Sequence, residues 1–132
     1  MRPRGIRTDT APMPVGPYSQ AAAAGGITFV SGQLGIDPVT GRLVEGVEAQ
    51  ASRALENIRA VLAAGGLSLS DVARTTVLLA DMADFPAVNS VYAGYFEEPY
   101  PARAAFAVKA LPLGALVEIE AVAVQAGGRS DA

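Results

Sequence analysis

Two apolar runs near the end of the sequence carry charged side chains that could perform chemistry. Arg103 lies in the run 100–108, and Glu118 and Glu120 lie in the run 116–124. Charged groups are rarely placed in such runs unless they are paired or functional. A guanidinium can bind a carboxylate through two parallel hydrogen bonds, and a carboxylate can move protons or position a water. These residues therefore suggest a site that binds a small acid.

The same charges also have structural interpretations. Arg103 could be buried and paired with Glu118 or Glu120 across neighbouring strands. Residues two apart share a strand face, so both glutamates could instead serve ion pairs or solvent at a subunit interface. The residues alone leave these alternatives open.

Four other positions could line a site, although each also fits an ordinary structural role. Ser31 and Gly32 end a predicted strand, where a turn exposes a hydroxyl and backbone N–H groups. Asn89 lies beside the apolar stripe of a predicted helix, where an amide needs hydrogen-bond partners. Tyr18 follows a Gly-Pro pair and lines either the core or a cavity.

The composition limits the chemistry that this chain can use. It contains no His and no Cys, which removes the commonest general base, the commonest metal ligand and all thiolate chemistry. The net charge of −3, without a basic cluster, disfavours a nucleic-acid partner, because phosphate contacts need clustered Lys and Arg. The sequence has neither a signal-peptide pattern nor a membrane-spanning apolar stretch, so we expect a cytoplasmic protein.

The length of 132 residues and the 51% hydrophobic content predict one domain over 1–132. Its core is expected over about 6–125, with a loose tail at 126–132. The elements predicted to position the charged residues follow the order strand, strand, helix, strand, helix, strand, strand, which is an α+β pattern. The predicted strands cover 18–24 (where propensity also allows a helix), 27–31, 72–80, 103–110 and 116–125.

The helices have clearer signals. An apolar stripe at helical spacing predicts a helix over 47–64, ended by Gly65-Gly66. A second helix is predicted to begin with Asp84 as its N-cap and Pro86 in its first turn. Before the first strands, the Pro-rich segment 6–17 is predicted to be extended, and Gly25-Gly26 to form a hairpin turn.

The last strand indicates an assembly. Its alternation puts Val117 and Ile119 on one face and Val122 and Val124 on the other. Two helices from a small chain can cover one face of a sheet, so another surface should cover the second. The sequence therefore predicts a homo-oligomer whose subunits pack sheet to sheet.

Taken together, these segments resemble one family, the reactive intermediate deaminase A (RidA) family, also called the YjgF family of enamine/imine deaminases. The resemblance covers roughly 6–125. Its motifs occur in the family's order: Gly16-Pro17-Tyr18-Ser19-Gln20, Ser31-Gly32-Gln33, Asp37-Pro38-Val39-Thr40-Gly41, Val88-Asn89-Ser90-Val91-Tyr92, Pro101-Ala102-Arg103 and Val117-Glu118-Ile119-Glu120.

The resemblance implies a chorismate-mutase-like α+β fold, with a mixed sheet of about six strands and two helices on one face. It implies a homotrimer with a barrel-like centre and clefts between subunits. The implied activity is that of a 2-iminobutanoate/2-iminopropanoate deaminase, a hydrolase of C–N bonds in metabolite damage control. Such an enzyme converts 2-aminoacrylate and small 2-imino acids to 2-oxo acids and ammonia, without a cofactor or metal.

The resemblance also implies residue roles. Arg103 matches the arginine that binds the substrate carboxylate, and Glu118 matches the glutamate that holds or activates a water. Ala105 stands where many members have Cys, at a position whose backbone carbonyl the family mainly uses. The remaining matches line the cleft: Tyr18, Ser31, Gly32 (through its N–H) and Asn89.

Two other functions stay open at this point. The chain could bind 2-oxo acids as a regulatory protein without turning them over. It could also be a translation-inhibiting endoribonuclease, an activity attributed to some relatives, although its acidic balance speaks against this.

Overall fold

A mixed sheet of six strands forms the centre of the computed structural model, which describes residues 2–125. Two helices, α1 (Val47–Ala64) and α2 (Phe85–Ala93), pack on one face of it. The strands are β1 (Arg4–Ile6), β2 (Ala21–Ala24), β3 (Ile27–Leu34), β4 (Val72–Leu79), β5 (Ala102–Ala107) and β6 (Val117–Val124). The predicted α+β class is confirmed, whereas the predicted tail at 126–132 lies outside the described residues.

The strand order is β1-β2-β3-β6-β4-β5, and the β4–β5 pair is parallel while the other pairs are antiparallel. The last two strands in sequence are therefore not neighbours, because β4 lies between them. One alternative for Arg103 was an ion pair with Glu118 or Glu120 on an adjacent strand. Within the chain this prediction is wrong, because β5 and β6 are not adjacent.

Local signals predicted several elements correctly. The helix α1 has the predicted bounds. Gly25 and Gly26 have φ of 61° and 80° and join β2 to β3, as a tight hairpin turn requires. The ambiguous segment 18–24 contains the strand Ala21–Ala24.

The start of α2 differs in detail from the prediction. Asp84 precedes the helix, but its side chain makes no capping hydrogen bond because its own backbone is already helical (φ −83°, ψ −6°). Asp81 supplies a cap instead, accepting from the Ala83 N–H at 2.9 Å. It does so at the short 3-10 turn Met82–Asp84, which leads into α2.

The Pro-rich segment near the amino terminus is held by one buried amide. Gln20, 1% exposed, accepts from the Thr8 N–H at 2.7 Å. Its Nε2 lies 3.1, 3.3 and 2.8 Å from the carbonyls of Thr8, Ala11 and Pro12. The segment thereby returns β1 to the edge of the sheet beside β2, a strand that the sequence did not predict.

We expect Gln20→Ala to lower the free energy of unfolding by about 2–4 kcal/mol, because four hydrogen bonds to buried or half-buried backbone groups are lost. Urea denaturation monitored by circular dichroism measures this. Gln125→Ala is the control, because that side chain is exposed and makes no hydrogen bond with the rest of residues 2–125. Equal stability of the two variants would contradict the role of Gln20.

The helices cover one face of the sheet and leave the other face exposed. Val117 and Ile119 of β6 are fully buried beneath the helices, whereas Glu118 and Glu120 point to the other face, as the alternation predicted. We call this second surface the open face. It exposes large apolar side chains: Ile27, Phe29, Phe106 and Val124. Within residues 2–125, no helix combines the length and apolar character needed to cross a membrane.

Candidate active site

Arg103 lies on β5 and extends toward the helices. Its partner in register is Thr75 of β4, whose hydroxyl bonds the Tyr92 hydroxyl of α2 and so marks the helix face. The Arg103 Nη1 donates to Asn89 Oδ1 at 2.7 Å. The guanidinium carbon lies 4.9 Å from the centre of the Tyr92 ring and 5.3 Å from that of Phe85. Helix α2 therefore holds this side chain.

The guanidinium borders a pocket of about 460 Å³. The pocket is lined by Asn89, Tyr92, Ala93, Tyr100, Pro101 and Arg103. Arg103 is exposed rather than buried, and the ion pair between Arg59 and Glu56 is the only one among residues 2–125. The positive charge of Arg103 is therefore available to an anionic group in this pocket.

Glu118 lies on the opposite face of the sheet from Arg103. It pairs in register with Leu78 of β4, three residues after Thr75. Successive side chains alternate between faces, so a position three residues on lies on the other side. A single chain therefore does not bring Arg103 and Glu118 together.

The Glu118 carboxylate lies directly over Gly32. A Cβ built at Gly32 would overlap the carboxylate oxygen Oε2, and it would lie only 2.9 Å from Cδ and 3.2 Å from Cγ. Gly32 belongs to the irregular stretch of β3 where the register with β6 shifts. The absence of a side chain at Gly32 thus makes the space that Glu118 occupies, which is a different role from the N–H donor expected by resemblance.

Burial raises the pKa of the Glu118 carboxyl above its ordinary value, and the negative charge of Glu120 raises it further. Both causes disfavour the ionised form. A carboxyl with a raised pKa retains its proton to higher pH and is therefore better suited to exchange protons near neutrality.

We expect a ¹³C NMR titration of the Glu118 carboxyl to have its midpoint above the ordinary 4.5. Glu120→Gln should move this midpoint to lower pH, because removing the nearby negative charge stabilises the carboxylate. The exposed Glu97 supplies the control, Glu97→Gln, which should leave the midpoint unchanged. A midpoint that Glu120→Gln leaves in place would show that the two carboxylates do not interact.

The remaining predicted residues lie in two places. Ser31 Oγ donates to the Ser19 carbonyl at 2.6 Å, and the Ser31 N–H donates to the Gln20 carbonyl at 2.9 Å. These bonds tie β3 to the segment that carries Tyr18, whose side chain is 51% exposed. Ala105 lies two residues after Arg103 and is half-buried against the core. Asn89 therefore contacts Arg103, and Ala105 lies on the same strand face. Ser31 and the segment that carries Tyr18 instead adjoin Gly32, over which Glu118 lies.

The aromatic contacts of Arg103 were not predicted from the sequence. Phe85 and Tyr92 lie at the apolar positions of α2, and Tyr92 is buried. Their spacing could have predicted these contacts. Phe85, Asn89 and Tyr92 are separated by four and three residues, so they share one helix face. Ring faces attract a guanidinium, and an amide oxygen between them can accept its hydrogen bond.

Comparison with known proteins gives consistent matches. Residues 8–125 match the family described as Endoribonuclease L-PSP. A 2-iminobutanoate/2-iminopropanoate deaminase of Capra hircus is 53% identical over 123 residues, which make up 92% of this chain and 90% of that protein. The crystal structure of RidA from an Antarctic Psychrobacter has a TM-score of 0.90 at 50% identity, covering 92% of this chain and 98% of that one. E. coli TdcF with bound serine has a TM-score of 0.89 at 40% identity, covering 93% and 99%.

Proposed function

Since the chain belongs to the RidA/YjgF family, we propose that it hydrolyses small 2-imino acids, such as 2-iminopropanoate and 2-iminobutanoate, to 2-oxo acids and ammonia. The observation that carries the proposal is the guanidinium of Arg103, held by Asn89 and two rings beside a pocket and lacking a carboxylate partner among residues 2–125. Relatives named as deaminases support the reaction, and the serine bound to TdcF supports a ligand with a carboxylate.

The proposed mechanism divides the work between two groups. Arg103 binds the substrate carboxylate through its free edge, and this fixes the position of the imine carbon. A water held by Glu118 adds to that carbon and gives a carbinolamine. The Glu118 carboxylate takes a proton from the water as it adds and passes it to the nitrogen. It then takes the hydroxyl proton of the carbinolamine and passes it to the same nitrogen. The C–N bond then breaks, ammonia leaves, and the 2-oxo acid remains. An enamine such as 2-aminoacrylate first tautomerises to its imine.

This mechanism needs more than one chain. Arg103 and Glu118 lie on opposite faces of one sheet, so we infer that a cleft between two subunits combines Arg103 of one copy with Glu118 of the next. The exposed apolar side chains of the open face support a homo-oligomer, and a cytoplasmic homotrimer is our proposal. Analytical ultracentrifugation should give the mass of three chains. A monomer at micromolar concentration would contradict the shared cleft.

The deciding experiment generates 2-iminobutanoate in situ with a threonine dehydratase. Semicarbazide then traps the remaining imine at timed intervals. Faster loss of imine with this protein than with buffer supports the deaminase. A parallel reaction with single-stranded RNA tests the nuclease that the family description suggests. RNA cleavage without imine turnover would favour the nuclease. Saturable binding of 2-oxobutanoate without either reaction would favour a regulatory binding protein.

A further inference from the structure

We propose that Tyr92 is a positioning residue of this site: its ring supports the guanidinium of Arg103 and fixes the direction in which that group meets the substrate carboxylate. The inference rests on the proposed role of Arg103. The guanidinium carbon lies 4.9 Å from the centre of the Tyr92 ring and 5.3 Å from that of Phe85. Both distances are within the range of about 6 Å over which a ring attracts a cation.

Three side chains of one helix face restrict Arg103. Asn89 accepts a hydrogen bond from Nη1 at 2.7 Å, and the rings of Phe85 and Tyr92 contact the same guanidinium. An unrestrained arginine side chain has large rotamer freedom, and ordering it on binding costs affinity. Because α2 already restricts the guanidinium, less of this freedom is lost when the substrate binds.

Tyr92 is itself fixed by the strand that neighbours Arg103. Its hydroxyl lies 2.7 Å from Thr75 Oγ1 in a buried hydrogen bond, and Thr75 is 1% exposed. Thr75 is also the register partner of Arg103 on β4. The ring of Phe96 packs behind Tyr92, with 4.7 Å between ring centres. Strand β4 thus holds the ring that supports the arginine of the adjacent strand.

This arrangement distinguishes Tyr92 from a catalytic residue. Its hydroxyl is engaged by Thr75 and is buried, and burial also raises the pKa of the Tyr92 phenol. The ring face, not the hydroxyl, is the part that contacts Arg103. The expected contribution is therefore to substrate binding through Arg103, and it should depend on the aromatic ring.

The test compares Tyr92→Leu, which removes the ring, with Tyr92→Phe, which removes only the hydroxyl. We expect Tyr92→Leu to raise KM for 2-iminobutanoate about three- to thirtyfold with a smaller change in kcat, because a cation–π contact is lost. Tyr92→Phe keeps the ring, so its KM should lie within about twofold of the wild-type value. Tyr95→Leu is the matched control, because Tyr95 bonds Ser52 and Glu56 of α1 and is not one of the rings over Arg103. An equal rise in KM for Tyr95→Leu would show a general effect of losing a ring near α2 and would overturn the inference.

A second measurement does not depend on turnover. In wild type, the ¹H–¹⁵N signal of the Arg103 Nε–H should be displaced by the ring currents of the flanking aromatic side chains. Tyr92→Leu should move it toward the position of a free arginine, and Tyr92→Phe should preserve it. If the wild type shows no deaminase activity, the proposed function fails, whereas this signal and the Kd for 2-oxobutanoate still report on the positioning. An Arg103 signal unchanged in Tyr92→Leu would overturn the inference.

Discussion

Replacing Arg103 with Ala is expected to lower kcat/KM for 2-iminobutanoate by about a hundred- to ten-thousandfold, because two charge-assisted hydrogen bonds to the carboxylate are lost, each contributing about 1.5–3 kcal/mol. Arg103→Lys should fall between this variant and the wild type, since it keeps the charge but loses the two-point geometry. The dehydratase-coupled assay measures both. Wild-type kinetics for Arg103→Ala would show that Arg103 does not bind the substrate carboxylate.

Mixed subunits test where the two halves of the site come from. Arg103→Ala and Glu118→Gln should each be poorly active alone. Randomly co-assembled at equal ratio, about one quarter of the clefts should pair an intact Arg103 with an intact Glu118 from the next subunit and recover activity. The matched control mixes Arg103→Ala with Asn89→Ala. Since Asn89 binds Arg103 within one chain, this mixture has no intact cleft and should not exceed its own parents.

Recovery in the first mixture and none in the second would locate the site between copies. No recovery in either mixture would instead place every required residue within one chain. That outcome conflicts with the opposite orientations of Arg103 and Glu118 on the sheet, so the shared cleft would have to be abandoned together with the role of one of these residues.

The second large effect is expected at a residue without a side chain. Gly32→Ala should lower kcat/KM about as much as Glu118→Gln, in the range of about a hundred- to ten-thousandfold, because the new methyl group would displace the Glu118 carboxylate that lies over it. A steric effect of this kind needs no change in the overall fold. Circular dichroism and thermal denaturation should therefore show a folded variant.

Gly94→Ala is the control for this substitution. Gly94 follows α2 with ordinary helical dihedral angles, and a Cβ there would lie 3.5 Å from the Val91 carbonyl oxygen, a normal contact. We expect it to retain wild-type kinetics. Full activity in Gly32→Ala would show that Glu118 can move without consequence, and its proposed role in holding the water would then fail.

The sequence predicted the features that depend on nearby residues. The bounds of α1 follow from an apolar stripe and the glycines after it, and the alternation of β6 follows from side-chain period alone. The turn at Gly25-Gly26 follows from the backbone freedom of glycine. Each of these signals lies within a few residues of the feature that it predicts.

The features that depend on long-range pairing were missed or mistaken. Nothing in the spacing of residues shows that β4 inserts between β5 and β6, and this insertion excludes an Arg103–Glu118 contact across adjacent strands. The role of Gly32 depends on the shifted register between β3 and β6. The ring of Tyr92 looks like ordinary core until β4 and β5 are paired, because only then do Thr75 and Arg103 lie side by side.

The opposite orientations of Arg103 and Glu118 also have a consequence for the amount of protein. Under the proposed mechanism, a lone chain carries two incomplete half-sites. Its specific activity should therefore fall on dilution below the dissociation constant of the assembly, whereas an enzyme with its whole site in one chain would be indifferent to dilution. Substitutions of open-face side chains that contact no substrate would then lower the activity by separating the subunits. For such a protein, the equilibrium between single and assembled chains sets the fraction of complete sites at each concentration.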